Sequence, residues 1–376
     1  MSFYCGIDLS ARDSHVCVVN QHLSRLVDEK VPNKLPRIIA LLEPYKADMQ
    51  IVVESTFNWY WLVDGLRAAG FNVCLAHTLG LYMITGAKIK TDRRDAFSLA
   101  KLLLAGVIPR AYIYPAETRP VRDLLRQRLL LVRRRAELYG RLSRLALREG
   151  IIDARRHEIE GLSEEELEKY FAHPLLRLSV SQELARIELY SEQIKELEQS
   201  ILERAEKQPV FARLQGIYGI GPVLALTILY EVGEMPRFEN VRHFSSYCRV
   251  VPGLAQSGNI TKRGRGSKQG NHSLAPQRCC TAGDPALKWA FSQAAVHAVR
   301  CYPEVRRCFD RHLSRRRGRG RRMIAYGIIA HKLAQAAYYI MSETEEFRGQ
   351  LLFGNLLHEG GGRTNPKRLS GTNPMS

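Results

Sequence analysis

Phe3-Tyr4-Cys5-Gly6-Ile7-Asp8-Leu9-Ser10 is a short, mostly apolar run that closes on a single carboxylate, the pattern of a buried central strand presenting Asp8 at its tip. A second apolar run, Met49-Gln50-Ile51-Val52-Val53-Glu54, closes in the same way on Glu54. One helix and one strand later comes Lys90-Thr91-Asp92-Arg93-Arg94-Asp95-Ala96, with two acids at i and i+3. Two strand-end acids and such a pair can share one pocket. Carboxylates about 4 Å apart repel by roughly 4 kcal/mol at an effective dielectric near 20, so four together need protons or a divalent cation. Hard oxygen donors suit Mg2+ or Mn2+, and a pair of such ions can clamp both the attacking and the leaving oxygen of a phosphoryl transfer. Each acid also has a plainer role open to it: Asp8 with Ser10 can begin a turn, and Thr91 or Asp92 can cap a helix.

Working outward, residues 3–112 alternate strand and helix. Ser14-His15-Val16-Cys17-Val18-Val19 reads as a hairpin partner of the first strand, 35–42 as a helix and 71–76 as a further strand. Trp59, Trp61, Leu62 and Leu66 share a helix face, and from Asp92 the residues Ala96, Leu99, Leu102, Leu103 and Leu104 continue a helix whose first turn holds the acid pair. An α/β unit with an initial hairpin is the arrangement of RNase H-like nuclease domains.

From Pro120 the pattern changes to long helices. Arg122, Arg126, Arg128, Arg133, Arg134, Arg135, Arg141 and Arg144 accompany the apolar positions Leu125, Leu129, Val132 and Leu138, and a phosphate-facing role is the favoured reading. Past a break near Gly161 and Pro174, Ile187, Tyr190, Ile194, Leu197 and Ile201 form a short coiled-coil seam, which either folds back on the arginine-rich helix or pairs two chains. Leu214 to Ala225, with Gly219 and Gly221, reads as a helix-hairpin-helix turn whose backbone N–H groups approach a phosphate, with an ordinary helical hairpin as the plainer account.

The loop over 251–271 mixes glycines with Lys262, Arg263, Arg265 and Lys268, which suits a backbone lying against phosphates. It contains Ser257, but nothing in the loop is an obvious base to activate a hydroxyl, so from the residues alone this is a phosphate-binding segment. Helices over 289–297 and 323–341 flank a basic block. Its Arg306, Arg307, Arg311, Arg315, Arg316, Arg317, Arg319, Arg321 and Arg322 face almost no acid except Asp310. Beyond about 354 the composition is that of a disordered tail.

The formal charge of +18 on 376 residues calls for a polyanionic partner. No apolar run approaches the roughly 18 residues that span a bilayer, and Asp8, Arg12 and Asp13 spoil a signal peptide, so a cytoplasmic protein without membrane association is expected. The eight cysteines show no disulfide framework. His297 with Cys301 and Cys308 with His312 are i,i+4 pairs that zinc could use, but close-spaced Cys or His pairs of structural sites are absent, and packing is the better account.

In combination these blocks resemble the DEDD-type insertion-sequence transposases of bacteria. Gly6-Ile7-Asp8, Val53-Glu54-Ser55-Thr56 and Thr91-Asp92-Arg93-Arg94-Asp95-Ala96 match the acidic signature; Gly216 to Pro222, Gln256-Ser257-Gly258 and Lys268-Gln269-Gly270-Asn271 match the C-terminal domain. The resemblance implies a RuvC-type RNase H-like domain over 1–115, a helical coiled-coil region over 116–206, a serine-containing transposase domain over 207–345 and a tail over 346–376. It implies Asp8, Glu54, Asp92 and Asp95 as ligands of Mg2+ or Mn2+, and Ser257 as the nucleophile that links transiently to DNA. It further implies cutting and rejoining of element ends and target, a structured guide RNA, and a homodimer or homotetramer. The chain departs from the family after Asn271, where 272–287 includes Pro276 and Pro285 before a helix resumes at Lys288. Two other functions fit the same charge: a junction-resolving, metal-dependent nuclease in which Ser257 only touches phosphate, and a non-catalytic nucleic-acid-binding relative.

Overall fold

The structure, a computed structural model, describes residues 2–78, 80–81, 92–150, 169–171, 173–205, 209–251, 254–257, 260–263, 283–318, 320–342 and 347–353. It divides into two units, Met1–Glu117 and Thr118–Ser376.

In the first unit, β1 (Phe3–Leu9), β2 (Asp13–Val19), β3 (Arg25–Pro32), β4 (Met49–Glu54), β5 (Asn72–Ala76) and β6 (Arg110–Ala111) form one sheet in the order β3-β2-β1-β4-β5-β6. β1, β2 and β3 are antiparallel, whereas β4 and β5 run parallel to β1. A 3-2-1-4-5 order opened by a hairpin is the RNase H-like arrangement. Strand alternation assigns the two faces. Cys5, Ile7, Ile51, Val53 and Leu75 pack against α1 (Leu35–Leu42) and α2 (Tyr60–Ala68). Tyr4, Val52 and Cys74 turn the other way, toward α3 (Asp92–Leu104). Gly6 lets that helix lie directly on β1: a Cβ there would fall 2.1 Å from the Ala96 carbonyl oxygen and 2.7 Å from the Ala100 nitrogen. β3 is absent from the sequence reading, because Val31 is its one fully buried residue and a polar edge strand leaves no apolar alternation.

In the second unit, α4 (Arg119–Arg148) and α5 (Pro174–Ala205) form an antiparallel hairpin. Arg128 Nε donates to Glu198 at 2.8 Å, Arg135 Nη1 to Ser191 at 2.9 Å, and Arg141 Nη2 pairs with Glu183 at 2.9 Å, so partner numbers fall as the α4 numbers rise. The seam of Ile187, Ile194 and Ile201 is buried within the chain, with Ile187 against Leu138 and Leu142 and Ile201 in one cluster with Val121 and Leu125. Much of the arginine row is therefore engaged internally. Arg133, Arg134 and Arg144 are exposed, which narrows the phosphate-facing reading of α4 to these positions.

Beyond it come α6 (Pro209–Gln215), α7 (Pro222–Val232), α8 (Val241–Tyr247), α9 (Pro285–Cys301), α10 (Pro303–Ser314), α11 (Arg321–Ser342) and α12 (Gly349–Phe353), with a two-stranded ribbon of β7 (Leu254–Ser257) and β8 (Ile260–Arg263). Alanines on α9 and α11, among them Ala290, Ala294, Ala334 and Ala337, are fully buried and let these helices approach closely. Pro285 does not interrupt a helix; it opens α9 behind the cap Asp284, whose Oδ1 accepts from the Ala286 and Leu287 nitrogens at 2.7 and 2.9 Å. The first part of the basic block is itself helix α10. His297 Nε2 and Cys301 Sγ stand 3.6 Å apart on an exposed face of α9, whereas Cys308 is a core residue. The tail after 354 lies outside the described residues. No helix among the described residues is long and apolar enough to cross a membrane.

Candidate active site at the strand ends

Ile7 stands opposite Val53 in the parallel β1–β4 ladder, so the next residues, Asp8 one short of the end of β1 and Glu54 at the end of β4, stand side by side. Asp8 shares the face of Gly6, and Glu54 the face of Val52; both faces look toward α3. α3 runs back along β1, with Leu99 and Leu103 near Tyr4 and with Ala96 and Ala100 over Gly6. Its first turn, carrying Asp95, accordingly comes to the Asp8 end. Asp8 is 8% exposed, and Glu54 and Asp95 are half-buried. Asp92 begins the helix, but its side chain lies outside the described residues.

The register thus turns Asp8, Glu54 and Asp95, three of the four predicted acids, toward one face at one end of the sheet. Among the described residues, no three His, Cys, Asp or Glu side chains close into a metal-holding cluster. The predicted donors are carboxylate oxygens, a set that fits Mg2+ or Mn2+ in kind.

Residues that sequence reasoning overlooked hold this corner in shape. The Ser10 carbonyl accepts from Asn33 Nδ2 at 2.9 Å and from Asn58 Nδ2 at 3.0 Å, which ties the turn after Asp8 to the segment after Glu54. Asp28 on β3 is a second anchor. Its Oδ1 lies 2.8 Å from His15 Nε2, and its Oδ2 accepts from Arg25 Nη1 and Arg93 Nε, each at 2.7 Å. His15 is the β2 partner of Asp8, and Arg93 lies between Asp92 and Asp95, so Asp28 fastens the first turn of α3 to the sheet beside the acids. Burial pushes the Asp28 carboxyl up, but the hydrogen bonds from His15, Arg93 and Arg25 outweigh it and hold the group down to about 2. A depressed acid stabilises the fold above its unfolded value near 3.9, and that contribution fades as pH falls toward the folded value. Asp28→Asn is therefore expected to lower the stability of the first unit by about 1–3 kcal/mol at pH 7. Urea unfolding of variant and wild type should converge as the pH is lowered below 4; a gap that stays constant would mean that the carboxylate charge contributes nothing.

In the second unit, Ser257 ends β7, paired with Ile260, while Lys262 and Arg263 on β8 pair with Ala255 and Leu254. The side chains of this ribbon, and all of Arg265, Lys268 and Arg319, lie outside the described residues. Arg315, Arg316 and Arg317 follow the end of α10 and are exposed. Gly219 corrects the expectation that both turn glycines face phosphate. It is buried with φ +79°, and a Cβ there would meet the Ala294 carbonyl oxygen of α9 at 2.2 Å, so its role is helix packing. Gly221 precedes the first residue of α7, is exposed and faces open space, which leaves it as the glycine with access to a ligand.

An RNase H-like sheet with carboxylates at the ends of β1 and β4, joined to a helical unit with exposed arginines, suits an enzyme that acts on nucleic acid. Two family models match in that order: a transposase model of the IS110 DEDD type over residues 5–149, and one described as the transposase IS116/IS110/IS902 family over residues 212–276. The chain belongs to this IS110-type family of transposases. It is 28% identical to the transposase y4qE of Sinorhizobium fredii over 50% of this chain, and that match spans only 45% of the relative's own length. It is 23% identical to the transposase for insertion sequence element IS1533 of Leptospira borgpetersenii, over 65% of this chain and 75% of the relative. With the transposase for insertion sequence element IS1111A of Coxiella burnetii the figure is 25%, over 69% and 68%.

Proposed function

We propose that this protein is the transposase of an insertion sequence, a cytoplasmic recombinase that cuts and rejoins DNA through Ser257, with Asp8, Glu54, Asp92 and Asp95 as the Mg2+- or Mn2+-binding set. The observation that supports the reading is that Asp8, Glu54 and Asp95 lie toward one face at one end of an RNase H-like sheet. Bound divalent ions would supply charge neutralisation for a phosphodiester and for the oxygens that attack and leave. In the chemical step, the Ser257 oxygen bonds to phosphorus and gives up its proton, and one sugar oxygen departs with the electrons of the broken P–O bond and is protonated. Rejoining is the reverse attack by a sugar hydroxyl on the phosphoserine. Gly221, Lys262, Arg263, Arg265, Lys268, Arg315, Arg316, Arg317 and Arg319 would contact phosphates of DNA and of a structured guide RNA, with the chain acting as a homodimer or homotetramer.

The test is a denaturing gel of protein mixed with Mg2+, supercoiled DNA carrying its own flanking sequences, and the RNA transcribed from them. A DNA-linked protein band is expected in the wild type and is lost in both Ser257→Ala and Asp8→Ala. Cleavage that persists in Ser257→Ala without any linked band would overturn the serine mechanism in favour of a junction-resolving nuclease. Binding without cutting by any variant or by the wild type would leave a nucleic-acid-binding relative.

A further inference from the structure

Phe57 is 86% exposed, more than any other large apolar side chain among the described residues. A single apolar residue in water is ordinary. What sets Phe57 apart is where its backbone is held. The Thr56 nitrogen donates to the Glu54 carbonyl at 2.8 Å, Thr56 Oγ1 donates to Asn58 Oδ1 at 3.0 Å, and Asn58 Nδ2 donates to the Ser10 carbonyl at 3.0 Å. Trp59, 8% exposed and edge-on to Tyr60 at 4.5 Å, anchors the far side. The ring is thus presented from a pinned segment three residues beyond Glu54, a span of at most about 10 Å. That is within reach of the nucleotides flanking a phosphate at the acids.

A neutral phenyl ring adds nothing to phosphate binding, so a polyanion recognises it only through an apolar, planar surface of its own. Nucleobases offer such surfaces once unstacked, whereas a paired duplex presents only base edges in its grooves. We propose that Phe57 is a stacking platform for an unpaired nucleobase next to the strand position held at Asp8, Glu54 and Asp95, an inference that rests on the nucleic-acid-processing reading above. It makes the substrate of this corner a region that offers a base face, such as a single-stranded or branched segment.

The experiment uses the full chain with Ca2+ in place of Mg2+, so that the acids keep a cation to hold the strand while cutting is suppressed, and a short single-stranded oligonucleotide carrying 2-aminopurine as the probe. Phe57→Ala is expected to weaken binding by about 10- to 100-fold and to abolish the stacking-induced fluorescence change. The salt dependence should stay unchanged, because no phosphate contact is removed. Phe57→Trp should retain affinity and fluorescence change, and both variants should melt with the wild type. Equal binding and equal quenching by Phe57→Ala would overturn the proposal. So would intact DNA binding with loss of self-association in light scattering, which would make the ring an interface between copies. A wild type without salt-dependent binding would instead sink the functional reading on which the proposal rests.

Discussion

Replacing Glu231 by alanine is expected to lower the stability of the Thr118–Ser376 unit by about 3–5 kcal/mol, because it removes the buried carboxylate to which a core guanidinium donates. Glu231 on α7 is fully buried. Arg122 Nε of α4 donates to its Oε2 at 2.7 Å, and Arg126 reaches both oxygens, at 2.6 and 2.9 Å. Arg126 also extends to Asp284 Oδ2 at 3.3 Å, so this one guanidinium joins α4, α7 and the cap of α9. Arg126 is 43% exposed and can turn to water, but the Arg122 side chain is 9% exposed and cannot. For a domain stable by some 5–15 kcal/mol, such a loss removes a large fraction of the whole. Urea denaturation measures it, and the double variant Glu231→Leu/Arg122→Met should recover most of the loss. A cost below about 1 kcal/mol for the single variant would show that the pair contributes no more than a surface contact.

The same network has a pH signature opposite to that of Asp28. Burial, and then the negative charge of Glu231, push the Asp284 carboxyl up to about 6, against the pull of Arg126 and the backbone donors. A raised acid stabilises the fold fully below its unfolded value near 3.9 and loses that contribution as pH rises through about 6. Removing Glu231 takes away one of the two upward causes. The Glu231→Ala variant should therefore show a shallower fall in stability between about pH 4 and 6 than the wild type.

Much of the first unit is legible in its sequence, and the residues say why. β1, β4 and β5 are buried on both faces and read as near-continuous apolar runs, and α3 shows its helical period in Ala96, Leu99 and Leu103. Asp8 and Glu54 are legible because each closes such a run. The supports of the corner are not, since Asn33 and Asn58 act on Ser10 from 23 and 48 residues away and Asp28 acts on Arg93 across 65. No local pattern encodes a partner at that distance. In the second unit the seam of Ile187 to Ile201 is plain in sequence, but whether it closes within a chain depends on α4 offering Leu138, Leu142 and matched arginines. The glycines of the 216–221 turn look alike in sequence. Only the approach of α9 separates Gly219, which must lack a Cβ, from Gly221, which need not.

Gly6 carries the second large expected effect, and it ties the fold of the first unit to its chemistry. A single methyl group at this position would sit 2.1 Å from the Ala96 oxygen, 2.7 Å from the Ala100 nitrogen and 2.8 Å from the Leu99 Cβ. Non-bonded atoms need roughly 3.5 Å, and two of these three are backbone atoms that cannot rotate aside. Gly6→Ala must therefore lift α3 off β1 by an ångström or so, at a cost near the upper end of the roughly 1–3 kcal/mol usual for overpacking. The first turn of α3 moves with it, carrying Asp92 and Asp95 away from Asp8 and Glu54. On the function proposed above, a misplacement of about 1 Å in a reacting geometry can cost around 100-fold in rate, so DNA cutting is expected to fall far more than the loss of stability explains. Cys17 reports the movement directly: it is fully buried in one cluster with Ala96 and Ala100, and its thiol is pushed up to about 11, chiefly by burial. Alkylation of Cys17 followed by mass spectrometry should be negligible in the wild type and readily detected in Gly6→Ala. A variant as stable as the wild type, with Cys17 still protected, would mean that α3 does not rest on Gly6, and the path from strand end to acid site drawn through that contact would fall with it.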